Sequence, residues 1–208
     1  DVYEPNLAET ADGRVLMIMR SKTGRLLQSY SHDQGETWLS VLPTELAASQ
    51  TTPQLVRIPA NGDLLCVWNQ VSAEEIRRGF QRGRLSAAIS KDSGLTWESF
   101  RTLELQEGME DVARIAPEFP ISRRVVGRAA QGQLPDGFMM FTQPNLDVTD
   151  DLVCIRYGRM WPVAKDEPPA GTAPGDWPGT WPTQDDAGAE LRGEEVVLRV
   201  YPLDYFYD

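Results

Sequence analysis

Short runs of apolar or alternating residues, separated by Gly, Asn and Asp, recur along the chain. GRVLMIMR (13–20), GRLLQSYS (24–31), TPQLVRI (52–58) and GDLLCVWN (62–69) predict strands, because β-branched and large apolar residues alternate between turn signals. RLSAAIS (84–90), GFMMFTQ (137–143) and DLVCIRYG (151–158) continue the series, and EVVLRVYPLDYFY (195–207) closes it as the last predicted strand. AETADGRVLM, RIPANGDLLC and QLPDGFMM each place a small polar turn before a strand. The repeating unit is strand, turn, strand, a second turn, strand and then a longer connection. An all-β fold of repeated short-stranded units follows, of the kind that builds propeller blades.

The second turn of the unit carries a fixed motif. SHDQGETW (31–38) and SKDSGLTW (90–97) both read Ser-x-Asp-x-Gly-x-Thr-Trp, 59 residues apart. An Asp carboxylate can accept backbone N–H bonds within a tight turn, and Gly can adopt positive φ there at no steric cost. The Ser and Thr hydroxyls can bond neighbouring backbone in the same local way. The Trp then begins a strand with a large apolar plate and one N–H to satisfy. Ser31, Asp33, Gly35, Thr37 and Trp38, and likewise Ser90, Asp92, Gly94, Thr96 and Trp97, therefore read as scaffold rather than chemistry. Both tryptophans are expected to be substantially buried. His32 occupies a variable position of the first turn and reads as an exposed loop residue.

Three stretches break the pattern. SAEEIRRGFQRG (72–83) is charged and reads as a loop or a short helix, and residues 106–130 fit no element. Residues 161–193, rich in Pro and Gly and without an apolar period, read as a long irregular insertion in a single propeller portion spanning 1–208. Its tryptophans 161, 177 and 181 are expected to pack, with a sugar platform as the alternative. The net charge of −11 and the absence of a basic run argue against a nucleic-acid partner. A local arginine cluster can still hold an anionic small ligand against a negative overall field. Cys66 and Cys154 sit in apolar runs and read as buried free thiols, not a disulfide framework. No stretch is long and apolar enough to span a membrane as a helix. The chain starts with Asp rather than Met, which points to a fragment or a processed product. Its compartment stays open: a signal peptide upstream would make it secreted or periplasmic.

The octet resembles the Asp-box, the bacterial neuraminidase repeat, and the chain resembles the sialidase superfamily. That resemblance implies a six-bladed β-propeller, of which this chain matches the C-terminal part. It extends beyond the boxes from about residue 3 to residue 100. YEPNLAETADGRVLMIMRSKTGRLLQSYSHDQGETW (3–38) is similar to the sialidase segment in which a catalytic Glu precedes a strand ending in an arginine of the carboxylate-binding triad. By position these are Glu4 and Arg20. RGRLSAAISKDSGLTW (82–97) resembles the next such segment and implies a second triad arginine at Arg82, with Arg84 as the fallback. The implied activity is removal of a terminal sialic acid, or a related acidic sugar, from glycans by a retaining mechanism. A forked guanidinium suits the sugar carboxylate, a Tyr acts as nucleophile, and no metal or other cofactor is involved.

Two features depart from the family pattern. Six blades need roughly twice this length, and the family's acid/base Asp and first triad arginine precede the matched region. The family's Tyr has its best local match in FTQPNL (141–146), where Gln143 stands in its place, as a substrate contact rather than a nucleophile; Tyr157 is the other candidate. The bland readings are a solvated terminal residue for Glu4, a strand-edge cap for Arg20, and a basic loop for Arg82 beside Arg77, Arg78 and Arg84. Two rival functions stand beside the enzyme: a carbohydrate-binding propeller without catalysis, and a structural or interaction propeller.

Overall fold

The computed structural model describes residues 2–77, 80, 82–115, 139–162 and 191–208. Three antiparallel sheets follow one another along the chain. The first is built in order from β1 (Val2–Glu9), β2 (Val15–Ser21), β3 (Arg25–Ser31) and β4 (Leu42–Ala47). The second is built from β5 (Gln54–Arg57), β6 (Leu64–Trp68), β7 (Arg84–Ser90) and β8 (Glu98–Leu105). The third places β9 (Met140–Val148) beside β10 (Leu152–Pro162), and β10 beside β11 (Leu191–Pro202). The strands β1, β5 and β9, each an edge strand of its sheet, lie side by side. One helical turn, α1 (Ala73–Arg77), sits between β6 and β7 and begins with a capping box: Ser72 and Glu75 each accept the other's backbone N–H.

Strand chemistry explains the stacking. In β6, LLCVW is buried at every position because both faces of the middle sheet are covered. Leu64, Cys66 and Trp68 pack toward the first sheet with Leu16, Ile18, Leu26 and Tyr30. Leu65 and Val67 pack the other way, with Phe141, Val153, Ile155 and Phe206. The third sheet's β11 alternates instead: Val196, Leu198 and Val200 are exposed, and Val197 joins the core.

The two octets have the architecture their residues imply. Asp33 accepts the Thr37 backbone N–H at 2.8 Å, the Thr37 hydroxyl at 2.5 Å and the Ser31 hydroxyl at 2.7 Å. Asp92 accepts the equivalent bonds at 2.8, 2.6 and 2.9 Å. The serine hydroxyls accept the N–H groups of Gly35 and Gly94, both at 2.8 Å. Trp97 is buried as expected, but Trp38 is only half-buried, because no described sheet lies against the first octet as the first sheet lies against the second.

Other details refine the sequence reading. The final predicted strand stops at Pro202, which has no N–H for the ladder, and Leu203–Phe206 forms a 3-10 helix with Phe206 buried. The strands β10 and β11 run into both ends of the expected insertion, pairing as far as Pro162 with Leu191; residues 163–190, with Trp177 and Trp181, lie outside the described residues. Residues 116–138 also lie outside them. Cys66 is buried and Cys154 half-buried, both free, and burial pushes the Cys66 thiol far above its ordinary pKa.

Candidate functional site

The site begins at a bulge. Tyr3 pairs with Arg20 and Asn6 with Ile18, so Glu4 and Pro5 together oppose the single residue Met19. A bulge re-aims the side chain that it carries, and Glu4 sits at φ +48°, a left-handed conformation that costs a non-glycine residue about 1–3 kcal/mol. The side chain so displaced reaches across to Arg20, whose Nη1 lies 2.5 Å from Glu4 Oε2. The Thr52 hydroxyl, from the segment entering β5, donates to the same oxygen. The Glu4 side chain is 50% exposed and Arg20 19%, so the pair opens to solvent from the carboxylate side.

Arg82 completes the cluster. Its Nη2 donates to the Gln50 carbonyl at 3.4 Å. Burial, followed by repulsion from Arg20, pushes its pKa down to about 10, while Glu4 pulls the other way. Arg20 and Arg82 repel one another and the charge of Glu4 acts on both, so the three belong to a single electrostatic neighbourhood. The Glu4 pKa is lowered: burial raises it, but the bonds from Thr52 and Arg20 and the charges of Arg20 and Arg82 outweigh that. The Arg20 Nε, with Ser49 Oγ, Thr51 Oγ1 and Gln70 Nε2, is a buried polar atom without a protein partner among the described residues.

Arg84, the fallback, is spent elsewhere. It is fully buried, 3.1 Å from Glu75 Oε1 and 3.7 Å from Asp111 Oδ1, and holds the Glu110 carbonyl. Arg82 and β9 are tied together: the Phe141 N–H donates to the Arg82 carbonyl at 2.9 Å, and the Asn69 amide donates to the carbonyls of Phe141 and Arg84, both at 2.9 Å. Gln143 follows two residues after Phe141 and is exposed. It too sits on a bulge, since Thr142 pairs with Gly158 and Asn145 with Arg156, leaving Gln143 and Pro144 opposite Tyr157. Its φ is +46°.

The Tyr157 hydroxyl is engaged outside this cluster. Its hydroxyl donates to Glu104 of β8, which Arg199 also approaches at 3.0 Å, and its ring packs edge-on against Phe141. Burial and the Glu104 carboxylate push its pKa far up. Among the described residues, no tyrosine hydroxyl hydrogen-bonds to Glu4, and no group of His, Cys, Asp and Glu could hold a metal.

Sequence reasoning missed Thr52 and Tyr3. The exposed Tyr3 ring has the Arg20 guanidinium carbon 6.0 Å from its centroid. The signal for Thr52 is an internal repeat: Glu4-Pro-Asn-Leu (4–7), Thr52-Pro-Gln-Leu (52–55) and Gln143-Pro-Asn-Leu (143–146). The tetrads stand at matching places on β1, β5 and β9, with Asn6, Gln54 and Asn145 paired to Ile18, Val67 and Arg156.

Residues 1–139 match the family model described as a BNR repeat-like domain, and the chain belongs to that family. The fold is similar to the intramolecular trans-sialidase of Ruminococcus gnavus solved with oseltamivir carboxylate, with a TM-score of 0.54 at 12% identity over 98% of this chain and 33% of that one. The leech intramolecular trans-sialidase gives 0.51 at 12% identity, over 98% of this chain and 24% of its own. The alpha-L-arabinofuranosidase of Fusarium graminearum gives 0.50 at 18% identity, over 76% and 40%. This chain therefore spans well under half of each of these structures. No curated protein matches the sequence. The fold is that of a sialidase-type propeller portion, made of blades that glycoside hydrolases share.

Proposed function

We propose that this chain carries the base-and-clamp part of a sialidase-type glycosidase site, acting on a terminal sialic acid or a related acidic sugar. The observation that carries the reading is the Glu4–Arg20 ion pair, on the paired strands β1 and β2, with Arg82, from the segment that enters β7, in its electrostatic field. Two arginines beside a solvent-facing carboxylate suit an anionic sugar: the guanidinium groups bind the sugar carboxylate, and Glu4 serves as base. The R. gnavus neighbour binds a carboxylate ligand, which supports the same ligand class. The exposed Tyr3 ring beside Arg20 offers the sugar an apolar face.

A second reading, binding of an acidic sugar without turnover, is favoured by the fate of the nucleophile. Gln143 has no nucleophilic oxygen, and Tyr157 is engaged by Glu104. Calorimetric titration of the chain with N-acetylneuraminic acid tests the shared claim. Arg20→Lys should weaken binding about tenfold or more, because a point charge cannot replace a fork. Unchanged affinity, or equal binding of neutral N-acetylglucosamine, overturns the clamp. Release of the fluorophore from a fluorogenic sialoside separates enzyme from binder.

A further inference from the structure

We infer that Thr52 is a positioning residue for Glu4, fixing which carboxylate oxygen meets the ligand; this rests on the acidic-sugar reading of the site. Glu4 Oε2 accepts both the Arg20 Nη1 and the Thr52 hydroxyl, and no described donor reaches Oε1. Two donors on one oxygen pin a long side chain that would otherwise populate many rotamers. The other oxygen is left without a described donor, on a side chain that is half exposed. A base presented through one defined oxygen is pre-organised for proton abstraction or for a hydroxyl of the ligand.

The internal repeat explains how Thr52 comes to be there. The tetrads place Glu4, Thr52 and Gln143 at the same position, just before a proline, on β1, at the entry to β5 and on β9, three neighbouring strands. Asn6 Oδ1 accepts the Leu55 N–H at 2.9 Å, so the third residue of the first tetrad is tied to the fourth of the second. That bond sets the two strands in register and brings Thr52 against Glu4. Thr is suited to the task, since its branched Cβ restricts χ1 and leaves the hydroxyl aimed. Gln143 extends the row with a neutral amide, exposed and on the same kind of bulge as Glu4. A row of carboxylate, hydroxyl and amide would read successive polar groups of a sugar.

The alternative is that Thr52 only ties two strands together. The full chain, labelled with 13C at its glutamate carboxyls, separates the two by NMR titration in the absence of ligand. The Glu4 resonance is the one missing from Glu4→Gln. Thr52→Val keeps the shape and removes the donor, so the Glu4 midpoint should rise by roughly half to one pH unit. Thr52→Ser should restore it, and Thr52→Ala provides a second donor-free variant should Val fold poorly. A Thr52→Val or Thr52→Ala midpoint equal to the wild type, or a Thr52→Ser midpoint that stays raised, overturns the inference. In titrations with N-acetylneuraminic acid, Thr52→Val should bind several-fold more weakly and Thr52→Ser as the wild type does. A wild-type chain that ignores this sugar sinks the proposed ligand class, while the Glu4 midpoint still decides the role of Thr52.

Discussion

The two octets are the same turn used in two ways. Each holds its Asp with the same three bonds, and each has a residue of positive φ before its glycine, Gln34 at +59° and Ser93 at +64°. Their surroundings differ. The second octet is pressed against the first sheet: the Tyr30 hydroxyl donates to the Ser93 carbonyl at 2.9 Å, the Trp97 backbone N–H donates to Glu45 Oε1 at 2.6 Å, and the Trp97 ring enters the core. The first octet has no described sheet against it. Its Trp38 bonds the Gly35 carbonyl of its own turn at 3.0 Å, and Leu39 and Leu42 nearby are 54% and 58% exposed. The turn is thus a self-contained local structure, and its contribution to stability depends on what packs against it.

The largest effect should come from the tryptophans. Trp97→Ala removes a ring that is 4% exposed and should cost about 3–5 kcal/mol. Trp38→Ala, at a half-buried site, should cost about 1–2 kcal/mol, scaled to the smaller area it removes from water. Urea unfolding of the two variants measures the contrast. Equal losses would show that the first octet is packed as tightly as the second.

What could be read from the sequence follows the same division. The octets were legible because the bonds that hold each Asp are made within eight residues. The middle strands were legible because their alternation or continuous burial is written in consecutive positions, as in LLCVW. The strand after each octet was expected, but its limits were not, since β8, exposed at Glu98 and half-buried from Ser99 to Leu105, lacks a clean alternation. The site was partly legible. Glu4, Arg20 and Arg82 came from resemblance, and the structure brings them together. The competition for Arg84 was invisible, because Glu75 and Asp111 reach it only through the folded loop. Tyr157 stayed a candidate for the same reason: Glu104 lies 53 residues away. Thr52 was overlooked although its tetrad is plain in the chain, because Thr-Pro read as ordinary strand entry.

The glycines sharpen the comparison at an intermediate scale. Both need positive φ, +98° at Gly35 and +89° at Gly94. A Cβ on Gly35 would meet nothing closer than Trp38 Cζ2 at 3.8 Å, whereas one on Gly94 would lie 2.3 Å from Leu16 Cδ2 and 3.1 Å from the Tyr30 hydroxyl. Leu16 is fully buried and has little room to yield. Gly35→Ala should therefore cost about 1 kcal/mol, from conformation alone, and Gly94→Ala about 2–3 kcal/mol, with overpacking added. Chemical denaturation reads both. A Gly94→Ala loss no larger than that of Gly35→Ala would mean that the octet can lift from the first sheet without penalty.

The smallest effect is electrostatic. The hydroxyl and N–H of Thr37, with the Ser31 hydroxyl, hold the exposed Asp33 carboxyl down at about 2. Asp92 is lowered too, although its partial burial works against the bonds from Thr96 and Ser90. An unfolded Asp titrates near 3.9. A folded pKa below the unfolded one gives stability that is fully present above about pH 4 and is lost as pH falls toward about 2. Melting temperature should therefore decline across that window. Asp33→Asn keeps a carbonyl for the Thr37 N–H but cannot carry the charge, so the decline should become shallower while the midpoint at neutral pH falls slightly. Asp92→Asn should lower the neutral-pH midpoint more than Asp33→Asn does, since its turn is wedged against the first sheet. An acid slope that neither substitution changes would mean that the octet carboxylates stay charged or neutral alike in both states, and that the shared bonds contribute nothing to acid unfolding.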